Sequence, residues 1–269
     1  MKKILYVQDA LNYNAVNTEF IDFIYGLTGC RISAFFFEDK ETARKLSIQQ
    51  ADWEGISDLK ATAVTQLREI CNENVRRFTT ACHVRDIPYS ISRMSRQLDG
   101  IVQESRYADL LLLDVGDYDD TVPGDFAREL LCYVECPVII MPLTFLGVEE
   151  LVFTYDGRES SSYAIKQFTY LLPLLGNYKA VVVCINPGMI DEAEWNKFRE
   201  WIDGCYARIE FLYAEGNVAE ELFEILRKRD HPFIVMGAYG SGLVSELLNP
   251  SQADPVIQLT SHAIFIAHQ

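Results

Sequence analysis

Apolar and polar positions alternate along this chain in blocks of two kinds. Short runs that are apolar on every residue, such as Leu110-Leu-Leu-Leu113 and Val181-Val-Val-Cys184, have the length of strands buried on both faces. Between them lie longer stretches with apolar residues near a 3.6-residue period, as in Leu59, Ala63, Leu67, Ile70 and Phe78. The pattern predicts strands at about 3–8, 32–37, 86–91, 109–114 and 137–141, with helices at about 14–27, 57–81, 95–105 and 124–134. Polar Glu38–Glu54 reads as a surface excursion. After a short junction, Pro142–Glu149, strands are predicted near 150–155, 179–185, 207–213, 232–237 and 263–267. Helices are predicted near 160–175, 190–202, 218–229 and 243–260.

The second series repeats the first. Ile4-Leu-Tyr-Val-Gln-Asp9 reappears as Leu151-Val-Phe-Thr-Tyr-Asp156, and the spacing of 147 from Asp9 to Asp156 also separates Gly29 from Gly176. A unit of this length exceeds the roughly 20–50 residues of a solenoid repeat and matches one small domain. The sequence therefore predicts a tandem duplication, with domains at 1–144 and 148–269. Alternating strands and helices predict an α/β, doubly wound fold with a parallel sheet in each half.

Composition narrows the function classes. The chain has 269 residues, of which 49% are hydrophobic, enough to build two cores. A formal charge of −15 argues against nucleic acid or an anionic membrane surface, since either needs a basic footprint. No apolar run approaches the roughly 18 residues of a membrane span. The apolar run at the start is too short for a signal peptide and reads as a buried strand. Seven cysteines at irregular spacing suit a reducing cytoplasm better than a disulfide framework. Cys132 and Cys136 fall one helical turn apart and read as buried small side chains.

The glycines hold the most specific chemistry. Gly237-Ala-Tyr-Gly240-Ser241 follows the fourth strand of the second half, and the next predicted helix begins near Leu243. Glycines at a strand end permit positive φ and close backbone approach by a ligand. The amides at the start of the following helix suit an anion. Alone, such a loop is more often a tight turn. Its place at the carboxyl end of a doubly wound sheet adds weight, because ligands bind there. Asp156 ends the first strand of the same half, where a carboxylate can accept from ribose hydroxyls.

With these residues the chain resembles the universal stress protein family, as two tandem domains over nearly its whole length. The family's first strand ends in an Asp followed by a small or polar turn, as in Thr154-Tyr155-Asp156-Gly-Arg-Glu-Ser160. Its Gly-Asp-Pro-Ala helix start is echoed by Gly216-Asn-Val-Ala-Glu220. Its Gly-x2-Gly-x9-Gly-Ser/Thr signature is matched at Gly237, Gly240 and Ser251, with Pro250 in place of the third glycine. The resemblance implies Rossmann-like halves, each with a five-stranded parallel sheet in the order 3-2-1-4-5. It also implies an adenine nucleotide (ATP or AMP) in the second half. Asp156 would then meet the ribose, the backbone near Thr154, Tyr155 and Ile185 the adenine, and Gly237, Gly240, Ser241 and Ser251 the phosphates. Family subunits pair through their fifth strands, which here implies an intramolecular pseudo-dimer joined through Pro137–Met141 and Ala263–Ala267; further homodimerisation is left open.

The departures point the other way. Pro250 offers no amide and fixes φ near −65°. In the first half Asp114 and Asp117 stand where the first two glycines belong, and Gly124-Asp125 where Gly-Ser belongs. Asp119 and Asp120 add negative charge where a triphosphate would lie. This acidic run reads as a solvated turn, with a divalent cation such as Mg at Asp117, Asp119 and Asp120 as the less favoured alternative. No catalytic residue stands out. His83, His231, His262 and His268 lie in no nucleophile pattern, and there is no Gly-Lys-Ser/Thr phosphate loop. Met94, Met141 and Met189 read as core. The expected function is a cytoplasmic stress-response module, not an enzyme, with weak ATP hydrolysis left open and nucleotide binding confined to the second half. The alternative is a nucleotide-free scaffold acting through protein interactions.

Overall fold

The computed structural model describes residues 2–38, 56–95, 98–114, 125–237 and 261–267. Among these, ten strands form one sheet. The first half supplies β1 (Lys3–Asp9), β2 (Arg31–Glu38), β3 (Tyr89–Ser95), β4 (Leu110–Leu113) and β5 (Val138–Ile140). The second supplies β6 (Glu150–Thr154), β7 (Lys179–Ile185), β8 (Arg208–Ala214), β9 (Pro232–Gly237) and β10 (Ala263–Ala267). Their order is β3-β2-β1-β4-β5-β10-β9-β6-β7-β8. Each half thus has the expected 3-2-1-4-5 order and no strand of one half interleaves with the other. All neighbours are parallel except β5 and β10, which pair antiparallel.

That central pairing is symmetric to the residue. Ile139 lies opposite Phe265, flanked by Ile140 with Ile264 and Val138 with Ile266. Ile139 neighbours Leu112, which neighbours Tyr6. Phe265 neighbours Val235, which neighbours Phe153, the repeat equivalent of Tyr6. Ile139 and Phe265 are therefore equivalent positions facing each other, and the approximate twofold axis passes between them.

Helices cover both faces: α1 (Ala15–Thr28), α2 (Ile56–Val84), α3 (Leu98–Ser105), α4 (Asp125–Tyr133), α5 (Glu159–Leu171), α6 (Glu192–Asp203) and α7 (Val218–Leu226). The apolar layer on each face draws on both halves. On one face, Phe20 of α1 meets Phe145 of the junction at 5.1 Å and Phe233 of β9 at 6.2 Å. Phe168 of α5 continues the contact to Phe233 and Phe265. The two halves share one core.

Several sequence expectations shift by a few residues, each for a local reason. Gly29 is a left-handed cap (φ 57°) that ends α1. In the second half Pro173 starts a 3-10 turn, Pro173–Asn177, which contains Gly176. The two glycines are therefore not equivalent, and the repeat slips by one: Lys3 pairs with Arg31, but Glu150 with Lys179. Strand β3 starts at Tyr89, later than expected, because Asp86 takes a left-handed turn (φ 53°) and Pro88 has no amide to donate. On α2, Ile70 is exposed and the buried stripe is Cys71, Val75, Phe78 and Cys82. Cys132 and Cys136 do not share a helix, since α4 ends at Tyr133; Cys132 is exposed and Cys136 buried. The helix expected at 243–260 lies outside the described residues.

Two outcomes follow from this packing. Phe20→Ala removes a fully buried ring that bridges the halves, and should destabilise the protein by about 3–5 kcal/mol. Thermal unfolding monitored by calorimetry should remain a single transition, whereas two separated transitions would contradict a shared core. His262 leads into β10, and burial, then the charge of His231, holds its pKa below the ordinary 6.5. The folded state thus resists protonating it, so stability is retained above about pH 6.5 and falls as pH drops through the lowered value. His262→Gln should flatten that acid limb in urea titrations between about pH 5 and 7.

Candidate functional site

Strands β6 and β9 are neighbours, and the chain leaves them in opposite directions along the sheet, which makes their carboxyl ends the switch point of the second half. Thr154 ends β6 and its hydroxyl donates to the Val235 carbonyl at 3.3 Å. The Tyr155 amide continues the ladder by donating to the Val183 carbonyl at 3.0 Å, so it is already used and cannot serve adenine. Asp156 follows with its side chain 27% exposed. Its Oδ1 accepts from the Arg158 amide (3.1 Å) and the Ser161 hydroxyl (2.7 Å), and Oδ2 lies 3.8 Å from the Arg158 guanidinium. Those bonds anchor the start of α5, whose N-cap residue, Arg158, makes no side-chain cap of its own.

Gly237 ends β9, as expected, yet it has a packing reason of its own. A Cβ there would fall 2.5 Å from the carbonyl carbon of Ser160 and 2.8 Å from the Ser161 amide nitrogen. The start of α5 presses against the strand, and only glycine fits. Ile185 closes β7, half-buried, with its partner Ala214 on β8. Structure thus brings Thr154, Tyr155, Asp156, Ile185 and Gly237 to one end of adjacent strands. Gly240, Ser241, Pro250 and Ser251 lie outside the described residues, as do Asp117, Asp119, Asp120 and Gly124.

The equivalent corner of the first half is filled by its own side chains. Asp9 is only 4% exposed, and its oxygens accept from the Leu11 amide (2.9 Å) and the Asn12 side chain (3.1 Å). Gln8 donates to the Asn12 carbonyl, and Asn74 reaches over from α2 to the Ala10 carbonyl at 2.9 Å. Strand pairing puts Asp114 where Gly237 stands, confirming the replacement read from the sequence. That side chain has room because α1 begins at Ala15, six residues past Asp9, whereas α5 begins at Glu159, three past Asp156.

Beside Asp156, the Tyr155 ring stacks on Phe198 of α6, with centroids 3.7 Å apart, and is 2% exposed. Its hydroxyl has no partner in bonding geometry, although the Ser162 hydroxyl is close enough to influence it. Burial, then the charge of Glu194, pushes this phenol up to about 12, so it stays protonated. The first turns of α6 and α7 are capped by Asp191 and Asn217 and carry Glu192, Glu194, Glu220 and Glu221. Those acids favour the helices and oppose an anion at either helix start. Among the described residues, no group of three or more His, Cys, Asp or Glu is placed to hold a metal ion.

One feature of this rim escaped the sequence reading. Asn186, left-handed at φ 57°, donates from Nδ2 to the Gly216 carbonyl and accepts at Oδ1 from the Gly216 amide, both at 3.0 Å. Asn-Pro-Gly is a turn signal and Gly216 opens the expected helix start, but nothing in the sequence links the two across 30 residues. Met189, expected in the core, is instead 84% exposed on that turn.

No family model matches the sequence, and no curated protein does. Solved structures do match. A universal stress protein from Archaeoglobus fulgidus DSM 4304 superposes with a TM-score of 0.67, at 11% identity, covering 100% of this chain and 96% of that one. The fold is that of a universal stress protein. A protein of unknown function from Pseudomonas aeruginosa PAO1 superposes at 0.56, with 14% identity over 100% of this chain and 92% of its own. Another from Pseudomonas aeruginosa UCBPP-PA14, provisionally called a universal stress protein, gives 0.56 at 13% identity, over 100% and 93%. Coverage of this order means that both halves of the universal stress protein fold are present in one chain. Among the described residues, no helix is long and apolar enough to cross a membrane.

The orphaned phenol gives a direct test of this corner. A buried hydroxyl without a partner costs about 1–3 kcal/mol. Tyr155→Phe should therefore leave stability unchanged or raise it, by up to about 1 kcal/mol in urea denaturation. A loss of that size would mean the hydroxyl is bonded in solution.

Proposed function

We propose that the chain is a stress-response protein of the universal stress protein family, acting in the cytoplasm, whose second half binds an adenine nucleotide as sensor or carrier. The first half acts as its ligand-free partner across the seam. The observation behind this reading is the contrast between two equivalent carboxylates. Asp9 is buried and both its oxygens accept within its own turn, whereas the Asp156 side chain is 27% exposed, with Oδ2 3.8 Å from the Arg158 guanidinium. An acceptor at the switch point is what ribose hydroxyls require. The fold's likeness to a universal stress protein and the Gly237, Gly240 and Ser251 spacing support the same assignment.

A second reading, a nucleotide-free scaffold, draws on one observation in particular. The close approach of Ser160 accounts for Gly237 without any ligand. Pro250 points the same way. Neither reading requires the chain to turn over a substrate.

Calorimetric titration of ATP and AMP separates the two. In the binding reading, Asp156→Asn weakens the nucleotide about 10–100-fold, the worth of one hydrogen bond to a charged group. Asp9→Asn leaves the affinity unchanged. Absence of heat with either nucleotide, together with no 260 nm absorbance released by acid, supports the scaffold. Phosphate release that vanishes in Asp156→Asn would make the protein an enzyme and overturn both.

A further inference from the structure

The seam removes two sheet edges and leaves two. Among the described residues, β3 and β8 each have a single neighbour, β2 and β7, and they end the sheet. An open edge strand offers a row of unpaired N–H and C=O groups. At the end of β8 the Ala214 carbonyl accepts from the Asn186 amide just beyond β7, at 2.8 Å, so the Ala214 backbone points inwards. Alternation along the strand then turns the backbone groups of Ile209, Phe211 and Tyr213 outwards. Tyr213 is 52% exposed, and Ile209 and Phe211 are half-buried.

The two edges differ in charge. Strand register makes Tyr89 and Ser90 of β3 equivalent to Ile209 and Glu210 of β8, and Pro88 equivalent to Arg208. The first-half edge therefore carries no charge where β8 carries two. Arg208 and Glu210 flank Ile209 on one face of β8, opposite in sign. Arg208 donates to the Asn177 carbonyl at 3.2 Å, which steadies its guanidinium. Glu210 lies 2.5 Å from Lys179 and 3.7 Å from Arg229, and the Lys179 hydrogen bond holds its carboxyl below the ordinary 4.5. Glu150 joins the same two cations, so this network is balanced although the chain stands at −15.

We propose that β8 pairs antiparallel with β8 of a second copy of this chain, about a twofold axis through Ile209. That register sets Arg208 of each copy opposite Glu210 of the other, so the strand is complementary in charge to itself. Ile209 meets its own equivalent through the outward-facing backbone groups. Phe211 falls opposite Ala207, a small exposed residue. The space it leaves admits the Phe211 ring and Arg199, whose guanidinium rests 4.7 Å from the ring centre. An axis through Phe211 would instead bring the two Glu210 carboxylates together diagonally, and one through Glu210 would set them face to face. The seam is a precedent within the molecule, since Ile139 faces its equivalent Phe265 with only three residues of each strand paired. A contact this narrow makes a weak dimer, with Kd about 1–100 μM. Nucleotide is not needed for it.

Sedimentation equilibrium of the full chain tests this, in wild type, Arg208→Glu and Arg76→Glu. Wild type should show a concentration-dependent equilibrium between monomer and dimer. Arg208→Glu turns both attractive pairs into repulsive ones and should weaken the dimer about 10–100-fold. Arg76→Glu makes the same change of net charge at an exposed position on α2 and should leave the dimer unchanged. Oxidative cross-linking then reads the register in a Cys132→Ser background, which removes the exposed native thiol. Ile209→Cys should give a disulfide-linked dimer, because that residue faces itself, and Phe211→Cys should not. Wild type that stays monomeric at every concentration overturns the proposal. So does a dimer that Arg208→Glu leaves intact, one that both charge reversals weaken alike, or one linked through Phe211→Cys instead. Arg208 is exposed, so its variant decides the matter even should Ile209→Cys fold poorly.

Discussion

Everything else in this structure depends on the antiparallel pairing of β5 with β10. Each would otherwise be the exposed edge of a five-stranded parallel sheet, a row of unpaired amides and carbonyls that invites association. Pairing them inside one chain satisfies both rows. Because Ile139 and Phe265 face each other as equivalents, the seam reproduces a symmetric subunit contact within a single polypeptide. Phe20, Phe145, Phe233 and Phe168 then seal one face across it, so neither half owns a separate core.

That arrangement frees the two carboxyl-end corners to differ. Stability comes from the strands and the seam, which are alike in both halves. The corners lie beyond the strand ends, where a change of side chain leaves the ladder intact. In the first half, Asp9, Gln8 and Asn74 each bond the turn formed by Ala10, Leu11 and Asn12. In the second, the aromatic residue at the equivalent of Gln8, Tyr155, closes no such network, and Asp156 stays open. The start of the first helix is coupled to this choice. Where it begins early, glycine is obligatory at the end of the fourth strand; where it begins a turn later, Asp114 is accommodated.

The strands were legible in the sequence from their long apolar runs, whereas their order and the seam came only through the family resemblance. The repeat itself was readable up to Asp156 but not through the first loop. Glycines at corresponding positions looked equivalent, although Gly29 caps a helix and Gly176 sits in a 3-10 turn begun by Pro173. On α2 the expected face holds at Phe78 but not at Ile70, because adjacent positions fit the period nearly as well and only packing chooses between Ile70 and Cys71. At the site, Asp156 and Gly237 were visible as single residues. The bonds of Asn186 to Gly216 and the contact of Ile190 with Gly157 were not, since both join residues about 30 apart through backbone geometry that no local pattern encodes.

Native-state hydrogen exchange measured residue by residue tests the central claim most directly. If the seam is where the two halves become one cooperative unit, amides of Val138–Ile140 and Ile264–Ile266 should exchange only through global unfolding, with the same free energy as those of β1 and β6. Seam amides that open at distinctly lower free energy, while β1 and β6 stay protected, would show two independent domains that merely touch.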